Sequence, residues 1–129
     1  MPGTVDFEYD ETRNIVFSED QWELRTKEDV DAFFEEYRKY FRRLNKKVYL
    51  VSHIDGLLVH ADIAEYYGEV ARKTVSEYLL GYARWGANDW ARMTVRTTSL
   101  KAKMAPRIYS TREEAAHAIE EIKKSAKSN

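Results

Sequence analysis

The sequence predicts an α/β fold: a single-layer mixed, mostly parallel sheet begun by an N-terminal β-hairpin and carrying about four helices. Three observations lead there. Apolar and acidic residues alternate at the start of the chain, a long apolar stripe at helical spacing follows, and short β-branched runs then alternate with further helical patterns. Val5, Phe7 and Tyr9 alternate with Asp6, Glu8 and Asp10, and Asp10–Asn14 supplies a polar turn before Ile15-Val16-Phe17. Trp22 and Leu24 either extend that second strand or form a short third one. Thr26 followed by Asp29 reads as a capping box, and Val30, Phe33, Phe34, Tyr37, Phe41 and Leu44 then fall on one face of a helix that ends near Asn45.

Residues 47–54 are apolar on both alternating faces, which predicts a strand buried between layers and central in the sheet. An Asp55-Gly56 turn is expected next. Ile63, Tyr66, Tyr67, Val70 and Thr74 repeat at helical spacing behind Asp62, whose carboxylate suits a helix N-terminus. Gly68 within that helix implies close approach of a neighbouring element. Residues 78–85 return as a strand, and Asn88 or Asp89 caps a third helix with Met93, Thr97, Leu100 and Met104 on one face, Met93 and Leu100 being placed nearer the core. Residues 106–109 form a last short strand. Ser110 and Thr111 open a final helix whose apolar face is Ala115, Ala118, Ile119 and Ile122. No linker or repeat divides the chain, so residues 1–124 are expected to form one domain and residues 125–129 a flexible tail.

Composition narrows the function classes. The chain has 129 residues and no cysteine, which excludes disulfides, thiolate metal sites and a cysteine nucleophile. Net charge is −1, and nothing global favours nucleic acid. Residues 1–36 hold 12 acidic and 3 basic side chains, while the remainder holds 10 and 18. Those opposite halves face each other or water within the domain, or else meet a partner or a second copy. No segment has the length and apolarity of a membrane span, and the start lacks a basic-then-apolar leader, so a cytoplasmic location is expected.

The element order and several short motifs resemble the STAS superfamily, and more narrowly its stage II sporulation protein AA-like branch. The motifs are Lys46-Lys47-Val48-Tyr49-Leu50-Val51, Asp55-Gly56-Leu57 and Ile108-Tyr109-Ser110-Thr111-Arg112-Glu113-Glu114-Ala115. The resemblance implies a small non-enzymatic α/β module. In that superfamily anti-sigma-factor antagonists bind a kinase partner and are switched by phosphorylation of a serine at the start of a helix, and some relatives are associated with nucleotides or lipid-like ligands. The phosphorylated segment reads Asp-Ser-Ser-Gly in the family. Aligned through Gly56, the stretch here reads His60-Ala61-Asp62-Ile63, which has no serine, so a phosphoserine switch is not expected. Asp62 is either a fixed negative charge in its place or simply a dipole partner.

Among chemistry-bearing residues, His53, His60 and His117 lack metal-ligand spacing, and no glycine-rich phosphate loop occurs. No metal or cofactor is therefore assigned. Ser52 and His53 are strand neighbours that point to opposite faces, whereas His53 and Asp55 share a side. Parallel strands gather ligands at their C-terminal ends, which nominates His53, Asp55, His60, Asp62, Trp85, Asn88 and Trp90. Residues 82–107 carry six basic side chains and one acidic one, so Arg92 and Arg96 are read as part of a basic stripe, either merely solvated or facing an acidic partner. These residues complete no catalytic constellation. The leading expectation is a regulatory or interaction module that binds a protein partner, including a second copy of itself. The alternative is a carrier of a small apolar ligand, with Tyr66, Tyr67, Trp85 and Trp90 lining a pocket between helices and sheet.

Overall fold

A computed structural model describes residues 3–128. Five strands form one sheet in the order β1-β2-β3-β4-β5: β1 (Thr4–Asp10), β2 (Ile15–Leu24), β3 (Val48–Val59), β4 (Leu79–Trp85) and β5 (Ile108–Tyr109). The hairpin pair β1/β2 is antiparallel, and the remaining three pairs are parallel. Helices α1 (Lys27–Leu44), α2 (Ala64–Tyr78) and α3 (Asp89–Lys101) connect successive parallel strands. Because the sheet advances one strand at a time in one direction, connections of one hand place all three helices on the same face. The last helix, α4 (Arg112–Ser128), covers the opposite face, where Ala115, Ala116 and Ile119 meet Ile15, Phe17, Val51 and Ala83. No described helix is long and apolar enough to cross a membrane.

The first helix forms as its sequence dictates. Thr26 and Asp29 make the reciprocal capping box, and Asn45 ends the helix in the left-handed conformation. Its apolar stripe, Val30, Phe33, Phe34, Tyr37 and Phe41, is buried against the sheet and α2.

Three elements depart from their sequence reading. Asp55-Gly56 is no turn: β3 runs through it to Val59, and the register against β2 slips between Glu19 and Gln21. A Cβ on Gly56 would lie 2.6 Å from the Asp20 carbonyl oxygen, so the irregularity requires a residue without one. The second departure is in α3, where Met93 and Leu100 point outward and the core face is Ala91, Val95, Thr98 and Ser99. The reason is close packing: a Cβ on Gly68 of α2 would come within 2.8 Å of the Ala102 Cβ and 3.2 Å of the Thr98 carbonyl, which leaves no room for large side chains between the helices. Third, α4 continues through Ser128, so residues read as a tail are helical, while Asn129 lies outside the described residues.

Gly68→Val should therefore push α3 off α2 and cost about 1–3 kcal/mol in a urea unfolding titration, although valine has the better helix propensity.

Candidate functional site

The nominated residues separate into a clamp at the strand ends and an outward helix face, and a buried polar cavity lies elsewhere. At the clamp, pairing of β3 with β4 sets His53 opposite Trp85, and the two rings stack with centroids 3.8 Å apart. His53 Nδ1 lies 2.6 Å from Glu19 Oε2 and Nε2 lies 3.0 Å from Asp55 Oδ2. A neutral imidazole donates from only one nitrogen, whereas the imidazolium donates from both. Burial lowers the pKa of His53, but the bonds to Asp55 and Glu19 outweigh it and leave the pKa raised above the usual histidine value.

The other Asp55 oxygen, Oδ1, accepts from the backbone N–H groups of Ala87 and Asn88, each at 2.8 Å. Burial raises the Asp55 pKa, but those amide bonds and the one from His53 leave it lowered overall. Asn88 in turn caps α3 by accepting from Ala91 N at 3.0 Å. Arg92 belongs to this same fixture and not to an exposed stripe with Arg96: its Nη1 donates to the carbonyls of Gly86 at 2.8 Å and Tyr109 at 3.2 Å, so the half-buried guanidinium ties two loops together. Arg96 is exposed. With both ring nitrogens engaged by carboxylates, His53 ties Glu19 of β2 to Asp55 at the β3–α3 corner.

His60 and Trp90 lie apart from the clamp, on a groove of about 260 Å³ between the end of β3 and α3. Its walls include Val59, Ala64, Met93 and Thr97. His60 Nε2 lies 2.7 Å from Glu23 Oε2. Asp62 is exposed in the single 3₁₀ turn, Ala61–Ile63, that precedes α2. Along the outward side of α3 Trp90 is 59% exposed, Met93 49% and Leu100 60%.

The four aromatics assigned to one pocket do not share one. Tyr67 lines an internal cavity, Tyr66 bonds Asp31 on the outside, Trp85 lies on the α4 face of the sheet and Trp90 is at the groove. The internal cavity, between the sheet and α1 and α2, measures about 40 Å³, far below the several hundred that a drug-sized ligand occupies.

That cavity exposes residues that sequence reasoning missed. Tyr37 of α1 donates its hydroxyl proton to Asp20 Oδ1, lies 2.7 Å from Ser18 Oγ and is 3.5 Å from Ser52 Oγ. Asp20 is 3% exposed. Burial pushes its carboxyl up to about 7, against the lowering effect of the Tyr37 bond and the Arg84 charge. Burial and the neighbouring carboxylate hold the Tyr37 phenol well above its ordinary value. A signal was available: Ser18 and Asp20 are in phase along β2 with Val16, Trp22 and Leu24, which marks them as facing the core.

No family model matches the chain, and no curated protein matches it in sequence.

The titration of Asp20 sets a pH dependence. An unfolded chain releases this proton near 3.8, whereas the folded protein holds it up to about 7. Over that interval the folded state binds the extra proton, so the contribution of Asp20 to stability is greatest below about 4, falls as pH rises to about 7 and is level beyond it. Asp20→Asn keeps an acceptor for Tyr37 without the charge, and should be more stable than wild type at pH 8 by on the order of 2–4 kcal/mol, with the advantage gone at pH 4. Denaturant unfolding at the two pH values measures this directly.

Proposed function

We propose that this protein is a non-enzymatic, STAS-like interaction module of the cytoplasm that binds a protein partner through the outward face of α3. The observation that carries the reading is the row Trp90, Met93 and Leu100, three large apolar side chains left about half or more exposed on a helix whose small residues face inward. Tryptophan and methionine are enriched at the centres of interfaces, and a contiguous exposed apolar patch is unusual on a protein with no use for it. The groove beside the row, floored by Val59 and Ala64, gives a partner side chain a place to insert. Arg96 and Lys101 are exposed on the same helix and supply charged contacts around the apolar row.

In the same reading the nominated polar residues serve to hold the corner together. His53 is occupied by Glu19 and Asp55, and Arg92 by two carbonyls. Asp62 stands exposed beside Ala61 at the groove, where a constant negative charge takes the place of a switchable serine.

The test is affinity capture from the source cell with quantitative mass spectrometry, using wild type, Met93→Asp and, as a surface control, Arg72→Asp on the exposed side of α2. A specific polypeptide should be retained equally by wild type and the control and fall at least about tenfold with Met93→Asp, a loss of 1.4 kcal/mol or more. Identical capture profiles for all three, with Met93→Asp folded by circular dichroism, contradict the reading.

A further inference from the structure

The internal cavity brings together three polar side chains whose bonding is incomplete. Asp20 accepts from Tyr37 at Oδ1, which leaves Oδ2 without a donor among the described residues. Arg84 is 8% exposed and uses only Nη1, donating to Ser99 Oγ at 3.3 Å and to the Pro106 carbonyl at 2.8 Å, so Nε and Nη2 have no acceptor among the described residues. Tyr67 is 4% exposed, and its hydroxyl has no partner among the described residues. All three line the one cavity, with Ser52 beside them. No fully sealed side-chain nitrogen or oxygen among the described residues is left without a hydrogen bond, so the unbonded atoms of these cavity-lining side chains each keep some accessible surface.

Opposite charges in an apolar interior ordinarily close into a direct pair, because each alone pays a large desolvation cost. Asp20 and Arg84 do not: Tyr37 holds the carboxylate toward α1, and Ser99 and Pro106 hold the guanidinium toward α3 and β5. The remaining space, about 40 Å³, exceeds what a single water needs and fits about two. It offers an acceptor at Asp20, donors at Arg84, and groups at Tyr67 and Ser52 that do both, which is the two-to-four-partner environment that keeps buried water ordered.

We propose that this cavity is a built hydration site, in which ordered water bridges the Asp20 carboxyl to the Arg84 guanidinium and the Tyr67 hydroxyl. The bridge joins α1 to α3 through the sheet: Tyr37 to Asp20, Asp20 through water to Arg84, and Arg84 to Ser99 on the inner side of the helix that carries Trp90 and Met93. The charged and titratable groups lining the cavity are Asp20 from β2, Arg84 and Tyr82 from β4, Tyr37 from α1 and Tyr67 from α2, with Ser52 of β3 completing the wall, and the Tyr82 hydroxyl is itself committed to the Ala105 carbonyl. Hydration of this cavity does not depend on whether α3 docks a partner.

Water-to-protein nuclear Overhauser measurements on the isotope-labelled protein test it. Long-lived water should give cross-peaks to the ring protons of Tyr67 and Tyr37, and Tyr67→Phe should reduce the Tyr37 cross-peak at least about twofold without loss of fold. A second measurement on wild type alone uses xenon, which enters dry apolar cavities with room for it and is excluded from hydrated polar ones. The methyl resonances of Ala71, Val75 and Leu79, which line the cavity, should not move under xenon pressure. Absent water cross-peaks, or saturable xenon shifts at those methyls, overturn the proposal.

Discussion

The bond from the Tyr37 hydroxyl to the Asp20 carboxylate is the constraint on which the arrangement of this protein depends. It is the point where α1 is fixed to the sheet by direction and not only by apolar contact, since Phe33, Phe34 and Phe41 around it can satisfy their burial in several registers. A buried carboxylate is costly, and its retention is compatible with a role in specifying one packing of α1. The irregularity in β2 and β3 follows from the same place. Asp20 sits at the register slip, and Gly56 across from it has no Cβ because the Asp20 carbonyl is already there. Beyond that slip β3 runs on to Val59 and forms one wall of the groove against α3.

The second organising feature is the contact of Gly68 with Ala102 and Thr98, which settles which side of α3 is inward. Close approach of α2 and α3 admits only Ala91, Val95, Thr98 and Ser99 underneath, and the larger residues are displaced to the surface. The exposed Trp90–Leu100 row is thus the other side of a packing decision. The clamp at Asp55 then sets where the helix begins, because one carboxylate oxygen collects the amides of Ala87 and of the cap residue Asn88 while the other holds His53. Clamp and row divide the work of one corner: the first fixes it, and the second is offered to solvent.

Much of this was legible in the chain. The capping box at Thr26 and the stripe ending in Phe41 and Leu44 specify α1 without help from elsewhere, since local propensity and periodicity agree there. Element order followed from alternating periods, and strand parity alone placed His53 and Asp55 on one side and Ser52 on the other. What was not legible depends on contacts far apart in sequence. Asp55-Gly56 carries the composition of a turn, and only pairing with Asp20-Gln21 makes it part of a strand. In α3 both faces repeat at helical spacing, and the more hydrophobic one, Met93 and Leu100, reads as the core unless the proximity of Gly68 is known. Arg84 shares a strand face with Tyr82 in phase with the core, yet its partners Ser99 and Pro106 are supplied by chain 15 and 22 residues later.

The most direct test of this account is the titration of the Asp20 carboxyl carbon in ¹³C-labelled protein. The account requires a midpoint near 7, set by burial against the lowering pull of Tyr37 and Arg84. A midpoint at the ordinary aspartate value near 3.8 would mean that the carboxylate is solvated, that Tyr37 does not hold it inside, and that the packing of α1 rests on apolar contact alone.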